Sequence, residues 1–208
     1  MIQYSWPKSL DVLWNKYRTG WRNCGIPDEA GESVAMHSFK VSNAALLYAM
    51  NKPYLDADKM ALMGLFHDAP EWLAPDFTPG EVTPEEKHRI EREALEKLVE
   101  IEGSKVHFIR DLWLEYEARK TPEADAVFQL DKLDPSVQAL GYEQAWPVVR
   151  RFYPYTRRHL ADPMLVKTFG ILMEKRYPNI EPYSQYFALL RNNADEEKFH
   201  LEMSSRAS

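Results

Sequence analysis

The stretch ESVAMHSFKVSNAALLYAM, residues 32–50, carries the period of an amphipathic helix. Positions three or four residues apart share one face of such a helix, and here they are mostly apolar: Val34, His37, Val41, Ala44 and Tyr48. Ser33 directly precedes this stripe and is a residue type that often caps a helix N-terminus. The pattern therefore predicts a helix that begins after Ser33 and places His37 among inward-facing apolar side chains.

The same period recurs along the chain, whereas almost no segment alternates as a β-strand would. Pairs such as Thr83-Pro84 and Asp162-Pro163 place a capping residue before a proline, which is typical of a helix start. Pro135 is expected to interrupt the helix that starts at Thr121-Pro122. The sequence therefore predicts an all-α fold. Further helices are predicted over about residues 58–67, 83–103, 106–118, 121–134, 136–145, 148–160, 163–176 and 183–191.

Composition and charge restrict the class of protein. Apolar residues make up 45% and charged residues 28% of the 208 residues, which is typical of one globular domain, or one with an appended segment. The longest apolar run, residues 44–50, is far shorter than the ~18 residues that a membrane span needs. Cys24 is the only cysteine and no signal-peptide pattern is present, so we expect a cytoplasmic protein. A net charge of −6 disfavours binding of nucleic-acid polymers.

Polar side chains occupy positions of the predicted helices where apolar residues are expected. His37 lies on the inward stripe, His67-Asp68 ends an apolar helix, and Asp131 again faces inward. A histidine in such a place is, taken alone, more often a core residue, but a buried carboxylate without a partner costs several kcal/mol. Two imidazoles and two carboxylates together make a mixed nitrogen and oxygen set of the kind that binds a divalent transition metal.

Glu71 follows His67 by four residues, so a continued helix would place both side chains on one face. In that position Glu71 would serve as a general acid or base, or as a carboxylate that orients water. Pro70 is expected to kink or end the helix at this point. If His67 is not a ligand, an exposed glutamate at a helix end is the favoured alternative.

These residues follow the order His…His-Asp…Asp, which resembles the signature of the HD-domain phosphohydrolases. The similarity extends over about residues 8–145, and its segments resemble those of the HD-domain 5′-deoxynucleotidases. They include RTGW at 18–21, ESVAMHS at 32–38, HDAPE at 67–71, Asp76, EKH at 86–88 and LDKL at 130–133. This resemblance implies an HD-domain helical bundle over residues 1–146. Residues 147–208 carry no motif of this kind, and we expect them to form a C-terminal helical extension packed on the bundle, as part of a single domain. The resemblance also implies a homodimer.

The same resemblance implies the ligands of a metal centre. By this comparison His37, His67, Asp68 and Asp131 would bind one divalent cation. A set of two nitrogen and two oxygen ligands accepts cobalt, manganese, iron, nickel or zinc, and the sequence does not choose among them.

Catalytic and substrate-binding roles are likewise implied by the resemblance. Glu71 would align the attacking water or protonate the leaving 5′ oxygen, and Asp76 would lie near the sugar. Arg18 would hold the phosphate, Trp21 would pack on the deoxyribose, and Lys87 would contact the phosphate a second time. Judged by residue type alone, Arg18 is a surface cation, Trp21 a core residue and Lys87 the partner of a nearby glutamate.

The reaction that this resemblance implies is hydrolysis of deoxynucleoside 5′-monophosphates to deoxynucleoside and phosphate. Hydrolysis of deoxynucleoside triphosphates and a non-catalytic nucleotide-binding module are the main alternatives. An oxidative di-iron enzyme would need further histidines, and the spacing of His88 and His107 does not favour it. Basic and aromatic residues alternate over 150–159, which would suit single-stranded nucleic acid, although the net negative charge favours a surface or interface helix.

Overall fold

The structure, a computed structural model, describes residues 8–176, and within that range it contains helices and no β-strand. The prediction of an all-α fold is therefore confirmed. None of the helices in this range is both long and apolar enough to cross a bilayer. The α-helices are α1 Lys8–Asn15, α2 Thr19–Arg22, α3 Val34–Ala49, α4 Ala57–Phe66, α5 Pro84–Glu102, α6 His107–Ala118, α7 Pro122–Tyr142, α8 Phe152–His159 and α9 Pro163–Arg176. Short 3₁₀ helices cover Ala69–Trp72, Gly103–Val106 and Pro147–Arg151.

The helix starts agree with the capping residues that the sequence indicates. Ser33, Asp56 and Thr83 each accept a hydrogen bond from the backbone N–H three residues further on, at the first turns of α3, α4 and α5. Asp162 likewise accepts hydrogen bonds from two backbone N–H groups of the first turn of α9. Each cap satisfies a backbone donor that the helix itself leaves unpaired. The helix predicted over residues 183–191 lies outside the described residues.

The chain divides into two compact units, Met1–Val127 and Phe128–Ser208. A predicted division after residue 146 stays a prediction. In the first unit, buried side chains of α5, α6 and the segments next to them form a hydrophobic core: Ala69, Leu95, Leu98, Val106, Ile109 and Trp113. The indole N–H of Trp72 donates a hydrogen bond of 2.9 Å to the carbonyl of Ala94, which fastens the 3₁₀ helix Ala69–Trp72 to α5.

Helices α3 and α4 pack closely against each other at Gly64. A Cβ atom added at Gly64 would lie 2.9 Å from both the Cα and the backbone nitrogen of Ser42. The Ser42 hydroxyl also donates a hydrogen bond of 2.7 Å to the Ala61 carbonyl across the same contact. Because α3 carries His37 and α4 ends just before His67, this close approach helps to set the distance between the two histidines.

Replacing Gly64 with alanine is expected to lower the free energy of unfolding by about 1–3 kcal/mol, because the new methyl group meets backbone atoms that have no rotamer to change. Gly170, inside α9, is the matched control, since no atom of residues 8–176, apart from the nearby backbone of its own helix, lies within 4 Å of its added Cβ. Gly170→Ala should raise the free energy of unfolding by about 0.4–1 kcal/mol. Urea unfolding of both variants measures the difference, and a Gly64→Ala variant as stable as the parent would show that the helices are not in tight contact.

An extended segment at residues 16–18 lies beside the start of α3. The backbone N–H of Val34 donates to the Lys16 carbonyl over 2.8 Å, and the N–H of Arg18 donates to the Glu32 carbonyl over 3.0 Å. Tyr17 and Ser33 form an antiparallel bridge between these two bonds. Side chains alternate along an extended backbone, so Lys16 and Arg18 leave this segment on the same side.

In the second unit, the prediction that Pro135 interrupts a helix is wrong, because α7 continues through it as far as Tyr142. Proline removes one backbone hydrogen bond, and packing after it compensates for this loss. Ser136 is fully buried and its hydroxyl donates to Thr156 over 2.7 Å, while the Thr156 hydroxyl donates to the Lys132 carbonyl over 2.6 Å. These bonds tie α8 to both sides of Pro135. The separate helix predicted over 136–145 is part of α7.

Candidate metal centre

Two histidines from adjacent elements of the first unit lie side by side. His37 is in the first turn of α3 and is fully buried, and His67 directly follows α4 and is 3% exposed. Their ring centroids are 5.2 Å apart, and a ring nitrogen of one lies within 4.8 Å of a ring nitrogen of the other. Tyr116 of α6 packs its ring against His67 at a centroid distance of 5.3 Å. The two predicted nitrogen ligands are thus brought together in a buried place.

The orientation of His67 is set by its own helix. Its Nδ1 lies 2.8 Å from the carbonyl oxygen of Gly64. A carbonyl only accepts hydrogen bonds, so Nδ1 carries a proton, and in the neutral imidazole the lone pair is then on Nε2. This is the arrangement in which a metal-binding histidine is usually held, with one nitrogen donating to the protein and the other left for the metal.

A carboxylate oxygen of Asp68 lies close to both histidines. Its Oδ2 lies 3.4 Å from Nε2 of His67 and 3.7 Å from Nε2 of His37. Two ligands that are each about 2.1 Å from a metal ion are about 3.0 Å apart at a right angle and about 3.4 Å apart at a tetrahedral angle. The separations and the donor types therefore fit a divalent transition metal held between these three side chains.

Arg18 lies beside this set. Its Nη1 donates to Oδ2 of Asp68 over 3.1 Å, and the two side chains are 19% and 17% exposed. Burial tends to lower the pKa of Arg18, but the nearby carboxylates of Asp76, Asp68, Glu32 and Glu71 raise it above its ordinary value. Arg18 therefore keeps its positive charge. A guanidinium has five N–H donors, so Arg18 can bind Asp68 and still donate hydrogen bonds to the oxygens of a phosphate.

Glu71 is buried on the 3₁₀ helix Ala69–Trp72, and only 3% of it is exposed. Pro70 lies in this short helix, which follows α4 instead of continuing it. Burial is the main cause that raises the pKa of the Glu71 carboxyl well above its ordinary value; repulsion from Asp68 adds to it and attraction to Arg18 opposes it. Its Oε2 is buried and has no hydrogen-bond partner within residues 8–176. A carboxyl of this kind can hold and transfer a proton.

Asp76 and Trp21 are both engaged with other parts of the first unit. A carboxylate oxygen of Asp76 accepts a hydrogen bond of 2.5 Å from the backbone N–H of Thr19, at the first turn of α2. Trp21 is 2% exposed, and its indole N–H donates to Glu32 over 2.9 Å. Asp76 thus lies next to the segment that carries Arg18, whereas Trp21 has the burial of a core residue. Their contacts with a substrate stay predictions.

Lys87 lies on α5 and forms an ion pair with Glu91, one turn further on. Burial lowers the pKa of Lys87, and attraction to Glu91 and Asp68 raises it overall, so the side chain is positively charged. Glu91 is itself only 3% exposed. This pairing agrees with the alternative in which Lys87 is the partner of a nearby glutamate. The contact of Lys87 with a phosphate stays a prediction.

Asp131, the fourth predicted ligand, belongs to the second unit. It lies on α7 and is buried, with 4% of its surface exposed. Its Oδ2 is 2.8 Å from the ammonium group of Lys132. The participation of Asp131 in the ligand set stays a prediction.

Sequence reasoning missed two residues that support this centre. The ammonium group of Lys16 donates to the backbone carbonyl of Glu71 over 2.6 Å, and Glu32 is a fully buried carboxylate that binds the Trp21 indole and the Lys40 ammonium group. The Lys16 contact joins residues 55 positions apart, so no helical period reports it. Glu32 binds partners 11 residues before it and 8 residues after it, beyond the three- and four-residue spacing of helix neighbours. The only local signal for Lys16 is its position two residues before Arg18 in a segment without helical pattern.

The sequence is similar to a known protein family and to individual known proteins. A model of the HD domain family matches residues 10–154. The chain is 36% identical to the 5′-deoxynucleotidase hdd1 of Schizosaccharomyces pombe over 133 residues, which are 61% of this chain and 65% of the relative. It is 33% identical to the 5′-deoxynucleotidase HDDC2 of Xenopus laevis over 164 residues, which are 76% of this chain and 80% of the relative.

A solved structure shares the fold. A conserved hypothetical protein from Pyrococcus furiosus aligns with a TM-score of 0.65 at 26% identity, over 81% of this chain and 96% of the other. The matched region of the family model contains all nine residues that the sequence predicts for the site: Arg18, Trp21, His37, His67, Asp68, Glu71, Asp76, Lys87 and Asp131.

Proposed function

This chain belongs to the HD domain family, and from that premise we propose that it is a metal-dependent phosphohydrolase of deoxynucleoside 5′-monophosphates. The observation that carries the proposal is the position of Asp68, whose Oδ2 lies 3.4 Å and 3.7 Å from two imidazole nitrogens and 3.1 Å from Arg18. A cation site and a positively charged side chain next to it are what a phosphomonoester dianion requires. The names of the 5′-deoxynucleotidase relatives support the same substrate class.

We propose His37, His67, Asp68 and Asp131 as the ligands of a divalent cation. The buried imidazoles, the oriented His67 and the closeness of Oδ2 of Asp68 to both Nε2 atoms support the first three. When bound, such a cation polarises a phosphoryl oxygen and makes water more acidic at neutral pH. Which of cobalt, manganese, iron, nickel or zinc is used depends on availability as much as on this ligand set.

Arg18 would bind the phosphate and offset its charge as the bond to the 5′ oxygen breaks. The Asp68 contact holds the guanidinium near the ligands, and a side chain that is 19% exposed can still be reached by a small substrate. Two parallel N–H···O bonds to a phosphate would orient it as well as bind it. Lys87 is the proposed second phosphate contact, which would require its ion pair with Glu91 to rearrange.

Glu71 would align the attacking water or give a proton to the leaving 5′ oxygen. Its raised pKa favours the proton-bearing form, and the buried Oε2 offers a group not committed to another bond within the described residues. The leaving alkoxide needs a proton to depart as the 5′-hydroxyl of the nucleoside. Asp76 and Trp21 are proposed to lie near the deoxyribose, with Asp76 also supporting the segment that carries Arg18.

A phosphate-release screen tests the proposal. The purified protein, loaded in turn with cobalt, manganese and zinc, should release inorganic phosphate from deoxynucleoside 5′-monophosphates and do so faster than from the ribonucleotides. Removal of the metal with a chelator should abolish the activity, and adding the cation back should restore it. A metal-loaded sample that releases no phosphate from any of them would contradict the proposal. Release of triphosphate or pyrophosphate from deoxynucleoside triphosphates alone would favour the triphosphate hydrolase.

We also propose that the protein is a cytoplasmic homodimer that binds small nucleotides and not nucleic-acid polymers. The net charge of −6 and the single cysteine support the partner class and the compartment. Light scattering in solution measures the assembly, and a mass equal to one chain of 24.3 kDa would contradict the dimer.

A further inference from the structure

The side chains of Lys16 and Arg18 reach the same part of the first unit. They leave the extended segment 16–18 on one side, since residues two apart point the same way. Arg18 contacts the carboxylate of Asp68, whereas Lys16 contacts the backbone three and six residues further along, at Glu71 and Ala74. One short segment therefore holds both the metal-ligand aspartate and the turn that carries Glu71.

The ammonium group of Lys16 provides hydrogen bonds for two buried backbone carbonyls at the end of a 3₁₀ helix. This group donates to the Glu71 carbonyl over 2.6 Å and also to the Ala74 carbonyl. Both residues are buried, with 3% and 2% exposed, and the 3₁₀ helix Ala69–Trp72 ends between them. Carbonyls at the end of a helix lack partners inside it, and leaving a buried one unpaired costs about 1–3 kcal/mol.

The backbone of Lys16 links this turn to the helix of the first histidine. Its carbonyl accepts the N–H of Val34, the first residue of α3, over 2.8 Å. His37 follows three residues later on the same helix. Lys16 thus connects the start of α3 with the Glu71 turn through one backbone bond and two side-chain bonds.

We propose that Lys16 is a positioning residue, which holds the Glu71 turn in register with the metal ligands by donating to the carbonyls of Glu71 and Ala74. This role rests on the proposed function, because it matters for turnover only if Glu71 acts in the reaction. Lys16 itself does not touch the metal ligands or the carboxyl group of Glu71 in any observed hydrogen bond within residues 8–176.

The test compares Lys16→Met with Lys16→Arg. Methionine keeps the unbranched apolar part of the side chain and removes the ammonium donors, so kcat should fall about 10- to 100-fold, as expected when a catalytic group is displaced by about 1 Å. The KM and the bound metal per chain should stay close to those of the parent protein, because the ligands and Arg18 are unchanged. Arginine keeps the charge and several donors, so it should recover most of the lost kcat.

Lys59→Met is the matched control. Lys59 is a half-buried lysine of the same unit whose ammonium group pairs with Glu115 and Glu123, away from the turn. The Lys59→Met variant should be less stable than the parent protein and have the same kcat.

A double variant tests whether Lys16 acts through Glu71. In a protein that already carries Glu71→Gln, Lys16→Met should cause little further loss of kcat. A full additional loss would show that Lys16 acts independently of Glu71 and would overturn the proposal.

Hydrogen exchange separates this inference from the proposed function. The backbone N–H groups of Leu73 and Ala74 donate to the Pro70 carbonyl, so their exchange reports how well the turn is held. Lys16→Met should speed their exchange and Lys59→Met should not. If the parent protein hydrolyses no nucleotide, the proposed function fails but this comparison still applies. Unchanged exchange at Leu73 and Ala74, or an unchanged kcat in an active enzyme, would overturn the role of Lys16.

Discussion

Replacing His67 with alanine is expected to remove the bound cation and to lower the turnover of deoxynucleoside monophosphates by at least about 1,000-fold. His67 is 3% exposed, its Nδ1 is held by the Gly64 carbonyl, and its Nε2 lies 3.4 Å from Oδ2 of Asp68. Without this nitrogen the remaining ligands bind the cation too weakly to keep it through purification. Loss of a cation that contributes several kcal/mol to the transition state corresponds to a rate loss of that size.

Metal per chain, by plasma mass spectrometry, and phosphate release should fall together in His67→Ala. His88→Ala is the control, because His88 also packs on an aromatic ring, that of Trp113, but is not part of the ligand set. It should retain both the cation and the activity. A His67→Ala protein that keeps a full equivalent of metal and normal turnover would exclude His67 as a ligand.

Glu71→Gln is expected to lower kcat by about 100- to 10,000-fold while the metal content stays the same. Glutamine fills the same space and can still orient a water molecule, but it has no proton to transfer. Burial raises the pKa of the Glu71 carboxyl, which suits a group that carries a proton for the leaving 5′ oxygen. If Glu71 only orients water, Gln should retain much of the rate.

Glu123→Gln is the control variant for Glu71→Gln. Glu123 is also largely buried, at 9% exposed, but it pairs with Lys59 and accepts the N–H of Asp56. Its substitution should reduce stability and leave kcat unchanged. Turnover of Glu71→Gln within about threefold of the parent, with a native melting temperature, would remove Glu71 from the chemistry.

Local rules accounted for most of the helices. Ser33, Asp56 and Thr83 cap α3, α4 and α5 as their residue types indicate, because a cap depends only on neighbours within one turn. Pro135 showed the limit of such rules. The cost of a proline inside a helix was offset by buried bonds from Ser136 to Thr156, a residue 20 positions away that no local pattern could connect with it.

In the candidate site, too, local patterns indicated some residues, whereas long-range packing decided the position of others. His37 stood out because a polar residue lies on an apolar stripe, and His67-Asp68 because it closes an apolar helix. Glu71 was expected on the face of His67 by helical spacing, but α4 ends at Phe66 and a 3₁₀ helix carries Glu71 instead. Its burial comes from tertiary packing, which the sequence does not display.

Residues that act through long-range hydrogen bonds could not be predicted from the sequence. Lys16 binds carbonyls 55 and 58 residues further along the chain, and the donor of such a contact can be any lysine or arginine. The indole N–H of Trp21 donates to the buried Glu32, a contact that the sequence did not indicate, and the expected place of Trp21 beside a sugar stays a prediction. Such partners are decided by the folded arrangement of α2, α3 and the segments between them.

Anomalous X-ray diffraction from crystals of the metal-loaded protein would locate the bound cation. We expect one strong peak about 2.0–2.3 Å from Nε2 of His37, Nε2 of His67 and a carboxylate oxygen of Asp68, with Asp131 supplying a further oxygen. A peak bound elsewhere on the protein, with both imidazoles hydrogen-bonded to other groups, would contradict the proposed metal centre.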